Sequence, residues 1–163
     1  MAKKNFNIRF AEERDAPVIL EFIRELAVLE NLDDQITATE EEIRVSLFEK
    51  KQAEVIIGEA DGRPVAFALF FHNYSTFLGK ANLYLEDLFV KENYRGRGIG
   101  KAMLRCLAKI ALARGCLRLD WLCLDWNKPA LAFYQSLGAR VLDQMRLCRI
   151  SGEQLKALVE SDV

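Results

Sequence analysis

Tyr94-Arg95-Gly96-Arg97-Gly98-Ile99-Gly100-Lys101 follows an extended apolar run, Leu83-Tyr84-Leu85-Glu86-Asp87-Leu88-Phe89-Val90. After it, Ile99, Met103, Leu107, Ile110 and Ala111 recur at helical spacing, and Gly115 stands where a helix C-cap belongs. The order is therefore strand, glycine-rich turn, helix. The first turn of a helix leaves backbone N–H groups without internal partners and carries partial positive charge. Glycines let a bulky anion come close to those donors, so the stretch predicts a diphosphate site.

Two common phosphate loops are excluded by the residues. A Walker loop needs G-x-x-x-x-G-K-[ST], but Gly100-Lys101 is followed by Ala102, and Arg95 sits where the first glycine belongs. A dinucleotide fingerprint needs G-x-G-x-x-G; counted from Gly96 it ends on Lys101, and counted from Gly98 on Met103. What the chain does satisfy is Arg-x-x-Gly-x-Gly, over Arg95 to Gly100.

Working outward, Asn5 to Phe10 alternates as a strand, and Ile19, Phe22, Ile23 and Leu26 mark a helix from an Asp15 cap to Glu30. Thr39 and Glu42 form a capping box for a shorter helix. Glu54 to Ala60 and Pro64 to Phe71 flank Asp61-Gly62-Arg63 as a hairpin, with a loop expected from His72 to Lys80. Ala81 to Val90 is the central strand. Beyond the glycine loop and its helix come a strand over Leu117 to Leu124, a helix from Asn127 to Gly138, a strand over Val141 to Ile150 and a terminal helix capped by Ser151. These elements predict one α/β domain over residues 1–163, a mixed sheet with helices on both faces and a parallel crossover from Leu83 to Leu124.

Composition narrows the function. With 23 basic and 24 acidic side chains and a formal net charge of −1, nothing favours nucleic acid as the partner. No apolar run approaches the roughly 18 residues of a membrane span, and Met1 to Asn7 lacks the apolar core of a secretory leader, so a cytoplasmic protein without a membrane partner is expected. Cys106, Cys116, Cys123 and Cys148 show no C-x-x-C spacing and His72 is the one histidine, so no metal site is expected.

Arg95-Gly96-Arg97-Gly98-Ile99-Gly100 resembles the acetyl-CoA pyrophosphate loop of the GCN5-related N-acetyltransferases, the GNAT superfamily. Leu83 to Val90 resembles that family's pantetheine-pairing strand. Asp125-Trp126-Asn127-Lys128-Pro129-Ala130 with Phe133-Tyr134-Gln135-Ser136-Leu137-Gly138-Ala139 resembles its second cofactor segment. Tyr-Leu-Glu-Asp, Trp-Asn-x-Pro-Ala and Phe-Tyr-x-x-x-Gly-Ala together are similar to the diamine/polyamine branch, which includes thialysine acetyltransferases. The likeness runs from about Ile8 to Arg149. It implies the acyl-CoA N-acyltransferase fold, a mostly antiparallel central sheet with flanking helices, acetyl-CoA as cosubstrate, a small cationic amine as acceptor and a homodimer; the competing readings are a protein lysine or N-terminal acetyltransferase and a catalytically silent acyl-CoA-binding sensor module.

Acetyl transfer to an amine needs a base, because an alkylammonium with a pKa of about 10.4 is almost wholly protonated at neutral pH. Alternation along a strand would send the adjacent Glu86 and Asp87 to opposite faces. By resemblance Glu86 takes the amine proton, directly or through water. Its other reading is a charge satisfied by Arg118 or Lys80. Asp87 is expected to contact the substrate cation from a strand irregularity. Tyr134, whose place in a Phe-Tyr pair on a helix reads by itself as core packing more often than as catalysis, is implied by the resemblance of its segment to protonate the departing thiolate. The cofactor would be held by Leu88, Phe89 and Val90, by Arg95, Gly96, Arg97, Gly98, Ile99, Gly100 and Lys101, and by Asn127, Lys128, Pro129 and Ala130. Glu30, Asp87, Asp120 and Trp121 are expected beside the amine. Ser75 and Phe77 depart from the polyamine pattern, where an acidic residue and a tryptophan stand, so a shorter diamine or a lysine-like amine is equally compatible.

Overall fold

The architecture is described from a computed structural model, which describes residues 5–160. Met1 to Lys4, part of the segment read above for a leader, lie outside the described residues. The chain divides into two compact units, one ending at Leu122 and the other beginning at Cys123.

The first unit holds a five-stranded sheet in sequence order: β1 (Phe6–Phe10), β2 (Glu54–Ala60), β3 (Arg63–Ser75), β4 (Lys80–Val90) and β5 (Leu119–Trp121). The first three pairings are antiparallel and the last, β4 with β5, is parallel. The mixed, mostly antiparallel sheet is the one expected. Helix α1 (Ala16–Glu30) packs its Ile19 and Phe22 on Val55, Ile57, Phe67 and Phe89 of one face. Phe22 stacks on Phe67 at 5.1 Å between centroids and meets Phe89 edge-on at 6.2 Å, the geometries that aromatic quadrupoles favour. Helix α3 (Ile99–Ala113) turns Met103 and Leu107, both fully buried, toward the opposite face. There Gly58 lets it approach: a Cβ at that position would lie 3.1 Å from the Met103 sulfur.

Between α1 and β2, the predicted capping box forms: Glu42 N–H donates to Thr39 Oγ1 at 3.2 Å and Thr39 N–H to Glu42 Oε2 at 2.8 Å, opening α2 (Glu40–Arg44). The entry to α1 differs from expectation. Asp15 makes no side-chain cap on α1; its carboxylate accepts from Glu12 N–H and from both terminal nitrogens of Arg9, at 2.7 to 2.9 Å. Arg9 also reaches Glu59 at 2.8 Å, so one guanidinium ties β1 to β2 and to the helix entry.

Two strand expectations are corrected. The loop expected over His72 to Lys80 is only the turn between Ser75 and Lys80, because the β3–β4 ladder continues to the Ser75–Lys80 pair. The strand expected over Leu117 to Leu124 forms only at Leu119–Trp121.

The second unit contains α4 (Lys128–Ser136) and α5 (Glu153–Glu160). Asn127 caps α4, its Oδ1 accepting from Ala130 N–H at 3.3 Å. The strand expected over Val141 to Ile150 is absent among the described residues. Its alternation is broken: Met145 and Leu147 share one phase, and Cys148 and Ile150 the other, so neither face is continuously apolar.

Candidate active site

At the end of β4, the glycine loop has the conformation its composition requires. Gly96 and Gly98 take φ of 70° and 80°, and nothing lies within 4 Å of where their side chains would stand. Gly98 is the N-cap of α3 and no side chain caps that end. The first amide of the helix with a backbone partner is that of Ala102, which donates to Gly98 O at 3.0 Å. The amides of Ile99, Gly100 and Lys101 thus remain available above an open loop, which fits a diphosphate.

The cationic side chains of the loop divide in their tasks. Arg95 folds back, its Nε donating to Val90 O at 2.8 Å and its guanidinium lying 5.4 Å from the centre of the Phe89 ring. It fastens the loop to the strand. Arg97 lies over the Tyr94 ring at 5.2 Å, and Lys101 is exposed on the first turn of α3. The strand leading to the loop is anchored by Lys91, whose Nζ meets Glu21 at 2.6 Å and Glu25 at 3.1 Å on α1.

On β4, β5 pairs only with Leu83, Tyr84 and Leu85. From Glu86 to Val90 the β5-side edge of β4 has no strand partner among the described residues. Leu88, Phe89 and Val90 therefore present backbone groups along an open edge that ends at the glycine loop.

The opening begins at an irregularity. Leu69 pairs with Asp87 and Phe70 with Leu85, so Glu86 is the extra residue of a β-bulge. The bulge resets the alternation. Asp87 pairs with Leu69, on the α1 face with Phe89, while Tyr84 pairs with Phe71 on that same face. Glu86 and Asp87 are thereby not sent to opposite faces as regular alternation predicts. Burial, then the charge of Glu86, then that of Glu30 push the Asp87 carboxyl up to about 6. Burial likewise raises Glu30, which sits at the carboxyl end of α1, where the helix dipole offers an acid no help. Three of the expected acidic residues are thus brought together.

Arg118 does not serve Glu86; it lies 3.6 Å from Asp120 instead. Among the described residues neither Glu86 nor Asp87 has a cationic partner, so the reading of Glu86 as a satisfied ion pair fails. Asp120 pairs in register with Tyr84, and Trp121 with Leu85, so alternation sets Asp120 on the acidic side and Trp121 on the other. Tyr84 was not singled out by its sequence. Its ring lies 5.0 Å from that of Phe71, and its phenol is raised by burial, then by Glu86 and Asp120.

Tyr134 belongs to the second unit. It occupies the last turns of α4, its ring 5.4 Å from that of Phe133 and its carbonyl accepting from Leu137 and Ala139. Asn127, Lys128, Pro129 and Ala130 form the entry to the same helix.

The Acetyltransferase (GNAT) family model matches residues 20–139. A bovine (Bos taurus) thialysine N-epsilon-acetyltransferase is 40% identical, with 93% of this chain and 95% of that protein covered. L-ornithine N5-acetyltransferase NATA1 of Arabidopsis thaliana is 30% identical over 93% of this chain and 86% of its own length. Among solved structures, an integron cassette protein from the mobile metagenome of V. cholerae is similar with a TM-score of 0.76 and 26% identity, over 96% of this chain and 98% of that one.

Proposed function

Because the chain belongs to the GNAT acetyltransferase family and is an N-acetyltransferase that uses an acyl-CoA, we propose that it moves the acetyl group of acetyl-CoA to the primary amine of a small cationic metabolite: a diamine, a polyamine or a lysine-like amino acid such as thialysine. The observation that carries this reading is the bulge at Glu86. It gathers Glu86, Asp87 and Glu30 without a cation of their own, at the point where β4 opens toward the glycine loop. A cleft with unpaired carboxylates in a partly desolvated place attracts an ammonium strongly.

Acetyl-CoA supplies the activated thioester. The amides of Ile99 to Lys101, with Arg97 and Lys101 as charge partners, hold its diphosphate; the β4 edge at Leu88 to Val90 takes the pantetheine arm, and Asn127 to Ala130 the segment beyond. Glu86 accepts the proton of the incoming ammonium, directly or through water, which converts the cation into a nucleophile. Asp87, Glu30 and Asp120 hold the cation in place before that transfer, while Trp121, expected beside the amine, lies on the other side of the sheet and takes no part. Tyr134 donates its phenolic proton to the departing thiolate. Attack is direct, within a ternary complex, and the two units act as one catalytic domain. We place the enzyme in the cytoplasm as a homodimer. Exposed Val141, Leu142, Met145, Leu147 and Ile150 support self-association, which light scattering on the purified chain measures.

The test is a thiol-release assay with acetyl-CoA against diamines, polyamines, thialysine, amino acids and a lysine peptide. Small cationic amines should turn over and the peptide should not. Tyr134→Phe and Glu86→Gln should each lower kcat by about tenfold or more, the scale of lost acid–base catalysis. Equal turnover of the variants and the wild type would remove the two assignments.

A further inference from the structure

Asn82 is the third residue of β4, has no accessible surface, and both its Oδ1 and its Nδ2 lack a hydrogen-bond partner among the described residues. Directly across the ladder stands Asn73, whose Oδ1 is also enclosed and unpartnered. An enclosed amide without a protein partner forfeits its hydration with no return, so a pair of them inside a strand ladder calls for something to serve. Apolar residues of similar size would avoid that cost entirely.

The place of the pair in the sheet indicates what it serves. Alternation puts Asn82, Tyr84 and the bulged Glu86 on one side of β4, with Asn73 and Phe71 beside them on β3. Moving down the strand from the bulge, the same face presents carboxylates, then the Tyr84–Phe71 ring pair, then the two amides. Asn82 is four residues from Glu86, roughly 13 Å along the strand. A hydrogen bond of about 2.9 Å at each end leaves roughly 7 Å, about the length of a lysine-like side chain. The rings lie at the height of its methylene groups.

The donor and acceptor balance then selects the far end of the chain. The free atoms are two amide oxygens, which accept, and one amide nitrogen, which donates. A second ammonium, as in a diamine, can satisfy the oxygens but leaves Nδ2 without an acceptor. An α-amino-acid head satisfies all three, its ammonium donating to the oxygens and its carboxylate accepting from Nδ2. We propose that Asn82, with Asn73, is a specificity-determining pair that reads the zwitterionic head of an α-amino acid whose side-chain amine is acetylated at Glu86. This deepens the amine-acetyltransferase reading above and rests on it.

L-Lysine and 1,5-diaminopentane isolate the head, since they share the chain and the reacting amine and differ by one carboxylate. Wild-type kcat/KM should favour lysine by about tenfold or more, because a site built to hydrogen-bond a group rejects the analogue lacking it. Asn82→Leu should lower kcat/KM for lysine about tenfold, mainly through KM, and leave the diamine within about threefold. Asn73→Leu should shift the same ratio in the same direction. Calorimetric titration of the wild type with both amines, in the presence of CoA, gives the preference without relying on a variant. Equal losses for both amines, no loss for either, or wild-type preference for the diamine overturns the proposal and leaves the amine-acetyltransferase reading standing. If no amine in the panel is acetylated, that reading falls and this one with it.

Discussion

Asp87 carries the largest electrostatic burden of any residue in the cleft. Its carboxyl is raised from an ordinary 3.8 to about 6 by burial, Glu86 and Glu30. A carboxyl raised on folding binds more protons in the native state between those two values, so its contribution to stability is complete below about pH 3.8 and is lost as the pH rises through about 6. Asp87→Asn should therefore stabilise the protein by about 1–3 kcal/mol at pH 8 and much less at pH 4.5, seen as the difference in urea midpoints at the two pH values. A cationic substrate pulls the other way, favouring the charged carboxylate. The acidic limb of kcat/KM should accordingly lie near pH 6 in the wild type and move or vanish in Asp87→Asn, at the cost of a higher KM. An unmoved limb would take Asp87 out of substrate binding. Glu86 and Asp87 were legible because two adjacent acids interrupt an apolar run, and Glu30 through its likeness to relatives. Their meeting on one face was not, because a bulge changes the phase of side chains without changing a letter of the sequence. Asn82 did carry a signal, since asparagine is depleted in strands and stands here between Ala81 and Leu83.

In the proposed cofactor site the loop from Arg95 to Gly100 acts as an element, because the contact is carried by backbone amides, to which Arg97 and Lys101 add charge. Gly98 at φ 80° both permits the turn into α3 and keeps open the space above three unbonded amides. Gly98→Ala should cost about 1–2 kcal/mol in stability through the left-handed backbone alone, and should in addition weaken CoA binding about tenfold or more by placing a methyl group on the anion's approach. Gly62→Ala is the matching control. It has φ 74° in the β2–β3 turn, so it should show the same order of destabilisation with CoA affinity unchanged. Calorimetric CoA titrations of both variants separate strain from lost binding space, and equal affinities would remove the loop from the cofactor site. This element was read correctly from sequence because glycine positions and helix periodicity are both local. The segment from Val141 to Ile150 was misread for the converse reason: a strand is defined by a neighbour, and a run whose alternation changes phase between Leu147 and Cys148 gives no face for one.

At the scale of the molecule, burial is distributed unevenly between the two units. The buried hydrophobic residues run from Ala16 to Cys116, all within the first unit, and none of the described residues from Cys123 onward is buried. Phe22, in contact with Phe67 and Phe89, is at the centre of that core, and Phe22→Ala should cost about 3–5 kcal/mol in equilibrium unfolding. Local stability follows buried apolar contact, so the amides of β3, β4 and α3 should exchange with solvent only by near-global opening, and those of α4 and α5 by smaller fluctuations. The proposed cofactor contacts fall on both: the β4 edge and glycine loop in the first unit, and Asn127 to Ala130 in the second. Binding that engages both suppresses the openings of the second unit that release the cofactor, and its faster-exchanging amides show that protection within the time of the measurement. Hydrogen exchange followed by mass spectrometry should therefore show CoA slowing peptides that cover residues 125–138 by about tenfold or more, together with those at 95–102, while peptides of β2 stay unchanged. Protection limited to the glycine loop would mean that the second unit plays no part in holding the cofactor, and would remove Asn127 to Ala130 from the site.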